Sequence, residues 1–350
     1  MPVSTETRQP QDVRDLPTTP AKKPRDPYFD NVKFLAVVLV VLGHAWYPLR
    51  NSRLVDVAHL FVYSFHMPVF ILLAGYFSRR FATTRGKVRR LVVGVVVPYL
   101  IFETAYPAFA SVFDDKRFIW SPLSPFSLTW FLLALLMWRL STPLWQQLRW
   151  PLPVAVVISL AAGMVSLPDQ VVYRTLGFLP FFVAGLLLRE EHFRLLWTRR
   201  ARVGAVVVGA AAAVTAVLAE PYVDPEFFNF RLSDEELGVS PLIAVTTRLA
   251  VLVCCAAMTA AFLALVPRRR TWFTELGTAS MYVYLLHLFI VNGAIFAGWY
   301  AGAKDLGRIG GPVVVSLLGV VVAVLLAIRP VRWAFGWAVE PRLEWAFRRR

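Results

Sequence analysis

The chain has 350 residues, of which 57% are hydrophobic and only 17% are charged, and its mean hydropathy is +0.57. A soluble domain carries about 25% charged residues, so this composition excludes a soluble globular protein and indicates a multi-pass membrane protein. A formal net charge of +15 would suggest nucleic-acid binding in a soluble chain. In a membrane protein it indicates basic cytoplasmic loops, so we expect the lipid bilayer, and no nucleic acid, as a partner.

Residues 1–27 are polar and rich in Pro, Thr, Arg and Lys, which predicts a disordered cytoplasmic tail without a cleavable signal peptide. Ten apolar stretches follow that can cross about 30 Å of hydrocarbon as helices, although the fourth is short for a span. They are residues 32–48, 57–77, 91–112, 127–140, 151–167, 172–188, 203–219, 242–266, 277–299 and 312–328. The sequence therefore predicts an all-α integral membrane protein of about ten transmembrane helices in one bundle, within a domain over residues 28–328.

The connections between these stretches alternate in charge. The connections on one predicted side of the membrane, which include the tail and the residues from 329 onward, contain 27 Lys and Arg. The connections on the other side contain 7. Because basic loops stay inside, we expect both termini to be cytoplasmic and the protein to lie in the cell membrane. The longest outer loop, residues 220–241, is acidic and aromatic, which predicts a short lid or an amphipathic segment.

Two further features lie in the last hundred residues of the chain. Residues 329–350 alternate Trp and Phe with Arg, which is typical of an interfacial helix on an anionic inner leaflet, although a simple topogenic anchor is the alternative. Cys254 and Cys255 are adjacent in an apolar stretch and point in different directions on a helix. We therefore expect neither a disulfide nor a metal site there.

The first apolar stretch carries the strongest functional signal. Lys33 and His44 lie eleven residues apart, so at 100° per residue they share one helical face, about 16 Å apart along the axis. Asp30 lies on nearly the same face. An ionisable residue is costly inside a membrane and usually faces the bundle interior, where it serves function. The alternative for His44 is a packing hydrogen bond to a neighbouring helix.

The other apolar stretches contain few polar side chains, and these lie between the predicted midplane of the membrane and its outer surface. This distribution predicts one polar cavity shared with His44. The candidates for this cavity and for acceptor binding are Asp30, His66, Glu103, Arg174, Arg248, Tyr284 and His287. Helix–helix hydrogen bonds alone would also account for His66 and His287.

The cytoplasmic loop of residues 79–90, RRFATTRGKVRR, is a second candidate site. Paired guanidinium contacts from such a loop can bind a polyanion such as a phosphorylated cofactor. The four basic residues assigned to this role are Arg85, Lys87, Arg89 and Arg90. The alternative is purely topological, because cytoplasmic loops are basic in any case.

The chain resembles the membrane-bound acyltransferase 3 family, in particular its fucose 4-O-acetylase-like branch. The resemblance begins with YFDNVKFLAVVLVVLGH and FHMPVFILLAGYF. It continues in the family's order through RRLVVGVVVPYLIF, LTWFLLALLMWR, LGFLPFFVAGLLLR and LGTASMYVYLLHLF, and so covers about residues 28–289. Many relatives carry Arg at the place of Lys33. Lys has the same positive charge but lacks the planar guanidinium that makes two parallel hydrogen bonds.

This resemblance implies a ten-span enzyme that moves an acyl group, typically acetyl, from cytoplasmic acyl-CoA to a hydroxyl, often of a sugar, without a metal. A hydroxyl becomes a good nucleophile when a base removes its proton, and histidine suits that task at neutral pH. We therefore predict that His44 is the base, with Glu103 orienting its imidazole. Lys33 and the basic loop would hold the CoA phosphates. Both direct transfer and an acyl-histidine intermediate are compatible with these residues.

Two other function classes compete with this hypothesis. A carrier or flippase for a glycan or lipid-linked substrate explains ten spans and buried ionisable residues, but does not explain the series of motifs. A structural membrane scaffold leaves the buried ionisable residues without a purpose. Even for an enzyme the acceptor stays open between a sugar or glycan, peptidoglycan, a lipid headgroup and a secondary metabolite.

Overall fold

The computed structural model describes residues 25–347 except 51, 80, 82–84, 115–116, 166–168, 224–225, 232, 234–235, 237 and 239, so the predicted tail lies almost wholly outside the described residues. Within the described part the chain forms eighteen α-helices and no strand. In order they are α1 (Pro27–Trp46), α2 (Arg53–Tyr63), α3 (His66–Ser78), α4 (Arg85–Leu91), α5 (Val97–Phe113), α6 (Trp130–Gln147), α7 (Pro151–Gly163), α8 (Gln170–Gly177), α9 (Leu179–Leu187), α10 (Glu190–Leu196), α11 (Arg199–Ala219), α12 (Glu226–Asn229), α13 (Pro241–Leu265), α14 (Thr274–Gly277), α15 (Ser280–Phe296), α16 (Trp299–Asp305), α17 (Gly307–Ala327) and α18 (Arg329–Val339).

Eight helical segments of the described chain are long and apolar enough to cross a membrane, and a ninth is added if the bent pair α15 and α16 forms one span. The eight are Pro27–Leu49, Arg53–Ser78, Val88–Phe113, Ser127–Gln147, Gln170–Leu187, Arg199–Ala219, Leu242–Leu265 and Gly307–Ala327. The all-α membrane fold is thus confirmed, while the count of ten stays a prediction. The fourth stretch is a 21-residue span, and the short one is the fifth, because α7 has only 13 residues.

Helix α1 lies at the centre of the bundle, where it contacts α2, α3, α14, α15 and α17. The Asp26 side chain accepts from the Tyr28 N–H (2.9 Å) and Pro27 occupies the first turn, so α1 begins five residues before the predicted stretch. At the other end Trp46 donates to the hydroxyl of Ser316 in α17 (2.8 Å). Because α1 ends at Trp46, His44 lies in its last turn.

Helices α3 and α9 approach each other closely enough for their backbones to touch. A Cβ added at Gly75 would collide with the carbonyl oxygen of Phe182, and one at Gly185 with the carbonyl oxygen of Leu72. Small residues at such a crossing are the usual way in which membrane helices pack tightly. This contact fixes the position of α3, whose first residue is His66.

Two spans are interrupted. Helices α2 and α3 are separated at Ser64 and Phe65, because Pro68 in the first turn of α3 has no N–H to donate to the Ser64 carbonyl. Helices α15 and α16 meet at an angle of 75°, where Gly298 adopts a φ of +70° that favours glycine. Irregular backbone within a membrane protein is tolerated where it is buried in protein or lines a cavity.

The long loop between α11 and α13 packs against the bundle. Phe227 and Phe230 are buried, and the Phe230 ring packs against that of Phe178 with centroids 4.8 Å apart. Farther along, the N–H and hydroxyl of Ser233 both donate to Glu236 and lower the pKa of that carboxyl. The loop therefore closes over the helices through its aromatic residues.

The basic C-terminal segment begins with α18, which contacts α5, α15 and α17. Its Ala338 and Val339 are buried, whereas Trp333 and Trp337 are 89% and 68% exposed. A helix that points tryptophans away from the bundle has the amphipathic character expected at a membrane surface. The interfacial placement of residues 329–350 stays a prediction.

Candidate active site

His44 faces a cavity of about 850 Å³ between the ends of the helices. Residues of α1, α2, α3, α5, α6, α8, α12 and α15 form its walls, together with the segment before α6. A volume of this size is within the range of sites for small molecules. The loops that reach the cavity belong to the set with few basic residues, so the predicted topology places its mouth on the outer side of the membrane.

One wall consists of His59, Tyr63 and His66. The ring centroids of His59 and Tyr63 are 3.6 Å apart, and those of Tyr63 and His66 are 4.4 Å apart. Nδ1 of His66 lies 3.0 Å from the Val62 carbonyl oxygen, which only accepts, so Nδ1 carries the proton and Nε2 is an acceptor. Sequence reasoning missed His59 and Tyr63, although their spacing with His66 of four and then three residues marks one helical face.

Arg174, a candidate from the sixth stretch, lies in the cavity wall. The Asp169 side chain caps α8 by accepting from the Val171 N–H (2.9 Å), and Arg174 follows one turn later. Its guanidinium carbon is 4.7 Å from the Trp130 ring centroid, and its buried Nε has no hydrogen-bond partner among the described residues. Arg174 can therefore donate hydrogen bonds to a ligand.

The two other arginines of the cavity wall are paired with carboxylates. Arg50 lies 3.8 Å from Asp56, and Arg231 lies 3.6 Å from Glu226 and also donates to Gln170 (3.0 Å). Both were missed from the sequence because they lie in loops, where charged residues are common and carry no helical spacing. These pairs make the mouth of the cavity polar.

His287 lies directly behind His44 and is completely buried. The two imidazole centroids are 5.3 Å apart and the ring planes are tilted by 49°. Nδ1 of His287 is 2.9 Å from the Val283 carbonyl oxygen and must carry the proton. Tyr284 lies in the cavity wall and donates to the Leu128 carbonyl oxygen (2.5 Å).

Glu103 holds the segment that leads into α6. Its two carboxyl oxygens accept from the Phe126 N–H at 3.0 and 2.9 Å, and the Thr129 hydroxyl donates to it at 2.5 Å. All the hydrogen bonds that the structure gives Glu103 go to this segment, and none of them reaches His44. Glu103 therefore shapes the cavity indirectly, because the segment it holds lines the cavity.

Three predicted site residues lie away from the cavity. Near the N-terminal end of α1, Lys33 Nζ is 2.6 Å from an oxygen of Asp30, whose side chain is buried. They share the face of His44 but are separated from it along the helix axis by about 16 Å for Lys33 and about 21 Å for Asp30. Arg248 of α13 packs against α7, where a Cβ on Gly163 would collide with its guanidinium. It is not among the residues that line the cavity.

The basic loop ends in α4, where Arg89 and Arg90 are exposed. The Arg89 guanidinium carbon lies 5.0 Å from the Phe347 ring centroid, and Arg90 donates to the Gly86 carbonyl oxygen (3.2 Å). The side chains of Arg85 and Lys87 lie outside the described part of the chain. Arg79, the first residue of this loop, makes a structural contact instead: it donates to the Leu188 carbonyl oxygen (2.6 Å) and so connects the ends of α3 and α9.

A family model described as an acyltransferase domain matches residues 26–328. The match covers most of the chain and includes every helix that lines the cavity. No similar curated protein and no similar solved structure was found. Within the described residues there is no group of three or more His, Cys, Asp and Glu that could hold a metal ion.

Proposed function

The chain belongs to the acyltransferase 3 family, and from this premise we propose that it is an integral membrane O-acyltransferase of the fucose 4-O-acetylase-like branch. It moves an acyl group, acetyl in this proposal, from cytoplasmic acyl-CoA to a hydroxyl of a sugar, glycan or related acceptor. It acts in the cell membrane with both termini in the cytoplasm.

The observation that carries the proposal is the position of His44 in the wall of the cavity, where its imidazole is partly exposed. A general base must come within hydrogen-bond reach of the proton that it removes, and a cavity ligand can satisfy this at His44. In the reaction the acceptor hydroxyl gives its proton to His44 as its oxygen attacks the thioester carbonyl carbon. The C–S bond then breaks, and the leaving CoA thiolate takes the proton from His44.

The composition of the cavity supports a sugar acceptor. The aromatic side chains of Tyr47, Tyr63 and Trp130 line the cavity together with the amides of Gln170 and Asn229. Binding sites for small ligands combine apolar and aromatic surface with a few placed polar groups in this way. Arg174, with its unpartnered Nε, adds donors for the ring or hydroxyl oxygens of a sugar.

The donor is proposed to bind at the inner end of the bundle. Arg89 and Arg90 are exposed there, and with Arg85, Lys87 and Lys33 they would hold the CoA phosphates by charge-assisted hydrogen bonds. Because Lys33 is about 16 Å from His44 along α1, the thioester must extend from the inner end of the bundle toward the cavity to meet the acceptor. Donor and acceptor thus enter from opposite ends of the bundle.

The experiment that tests this function uses the purified full chain in lipid nanodiscs, which leave both membrane faces accessible. Acetyl-CoA labelled in the acetyl group is supplied with fucose-containing and other glycans, and CoA thiol release and label in the glycan are measured. An acyltransferase releases one CoA for each acetyl group that appears on the glycan. A carrier instead moves a labelled glycan into sealed liposomes without any CoA release, and that result would overturn the proposal.

A further inference from the structure

We propose that His287 is a positioning residue for the base: its Nε2 accepts a hydrogen bond from His44 and selects the tautomer of His44 whose other ring nitrogen faces the acceptor. This inference rests on the proposed function, since it concerns the base of that reaction. It also assigns to His287 the orienting role that sequence reasoning gave to Glu103.

The first observation is an unsatisfied acceptor. The Nδ1–H of His287 donates to the Val283 carbonyl oxygen (2.9 Å), which leaves a lone pair on Nε2. Nε2 is buried and has no hydrogen-bond partner in the described part of the chain. Leaving a buried polar atom unpaired is costly, and such an atom in a folded protein usually has a functional reason.

The second observation is the neighbour of that atom. The imidazole of His44 is the ring next to His287, with centroids 5.3 Å apart. Ring nitrogens lie about 1.1 Å from their centroid, so turning the His44 ring can bring two nitrogens to about 3 Å, a normal hydrogen-bond length. The hydroxyl of Tyr284, another neighbour of His287, donates to the Leu128 carbonyl oxygen and does not compete for Nε2.

This contact has a consequence for catalysis. A neutral imidazole has one N–H and one lone pair, so an N–H directed at His287 leaves the lone pair of His44 on the cavity side. When His44 takes the proton from the acceptor, the same contact becomes a charge-assisted hydrogen bond, which is stronger. Glu103 cannot supply this contact in the arrangement seen, because its carboxyl oxygens accept from Phe126 and Thr129.

The test compares three substitutions of His287 in the full chain. In His287→Gln the side-chain carbonyl oxygen can occupy the place of Nε2 and accept from His44. In His287→Asn the shorter amide can still donate to the Val283 carbonyl oxygen but does not reach His44. His287→Phe keeps the ring and removes both contacts.

We expect kcat to fall about 10- to 100-fold in His287→Asn and His287→Phe, the size of one lost hydrogen bond to a charged group, with KM for acetyl-CoA unchanged. His287→Gln should recover most of this loss. If all three variants lose activity only in proportion to the folded protein recovered, or if His287→Phe turns over normally, His287 has no positioning role.

A second measurement does not depend on turnover. With ¹⁵N-labelled histidine, His44 should show a single tautomer in the wild-type chain and in His287→Gln, and a mixture in His287→Phe. The His44 signal is identified by its loss in His44→Gln. An unchanged single tautomer in His287→Phe overturns this inference alone, whereas a wild-type chain that releases no CoA and transfers no acetyl group overturns the proposed function itself.

Discussion

Replacing Glu103 separates a structural role of its carboxyl group from a catalytic one. In Glu103→Gln the amide oxygen can accept from the Phe126 N–H, and the amide NH₂ can donate to the Thr129 hydroxyl oxygen. That hydroxyl then donates to the Phe126 carbonyl oxygen, which already lies 2.8 Å away. The Phe126 N–H keeps one of its two acceptor oxygens and the contact with Thr129 is kept, so we expect the free energy of unfolding to change by less than about 1 kcal/mol.

Glu103→Ala should behave differently. It leaves the Phe126 N–H without an acceptor, which costs about 1–3 kcal/mol, and removes about one buried methylene, worth about 0.8 kcal/mol. The expected total is about 2–4 kcal/mol, together with a higher KM for the acceptor, because the segment that lines the cavity loosens. Glu275→Gln, which breaks only an exposed pair with Arg270, is the control and should cost at most about 1 kcal/mol.

The assays are a reversible SDS titration in mixed micelles for stability and acetyl transfer for activity. If Glu103 instead orients His44 by its negative charge, Glu103→Gln will fold normally and lose turnover. A stable but inactive Glu103→Gln protein would therefore refute the structural role.

Three further predictions concern the basic loop, the topology and the packing of the bundle. Replacing Arg89 and Arg90 by Gln should raise KM for acetyl-CoA, and the effect should weaken with salt because exposed charges are screened; unchanged donor kinetics would leave the loop a topological role. A reporter fused after Ser121 should be found outside, and a cytoplasmic signal would reverse the topology. Gly185→Ala should destabilise the protein by about 1–3 kcal/mol, since a Cβ there meets backbone, whereas Gly204→Ala, with open space, should not.

Apolar stretches located the helices well, because crossing hydrocarbon demands a long run of apolar residues that any sequence must show. Their ends were less predictable. Helix α1 begins at Pro27, ahead of the apolar stretch, because Asp26 caps it there, and it ends at Trp46, which leaves His44 in the last turn. The break before His66 could have been read from Pro68, whose missing N–H disrupts the helix.

Part of the candidate site could be predicted from helical geometry and from the cost of burying ionisable side chains. Helical spacing and the cost of burial single out His44, and burial likewise points to Arg174, which lines the same cavity. The partners of Glu103 were not predictable, because Phe126 and Thr129 lie 23 and 26 residues away, beyond a loop whose path has no helical period. The contact of His44 with His287 joins α1 to α15 and depends on the packing of the whole bundle.

The most direct measurement of the central claim is single-turnover acetyl transfer by folded, full-length His44→Gln. General-base catalysis contributes about 10²–10⁴-fold, so we expect a loss of that order, with acetyl-CoA binding unchanged because Lys33 and the basic loop are untouched. His66→Gln, in the same cavity, is the matched control and should lose far less. Near-normal turnover of well-folded His44→Gln would contradict the assignment of His44 as the base.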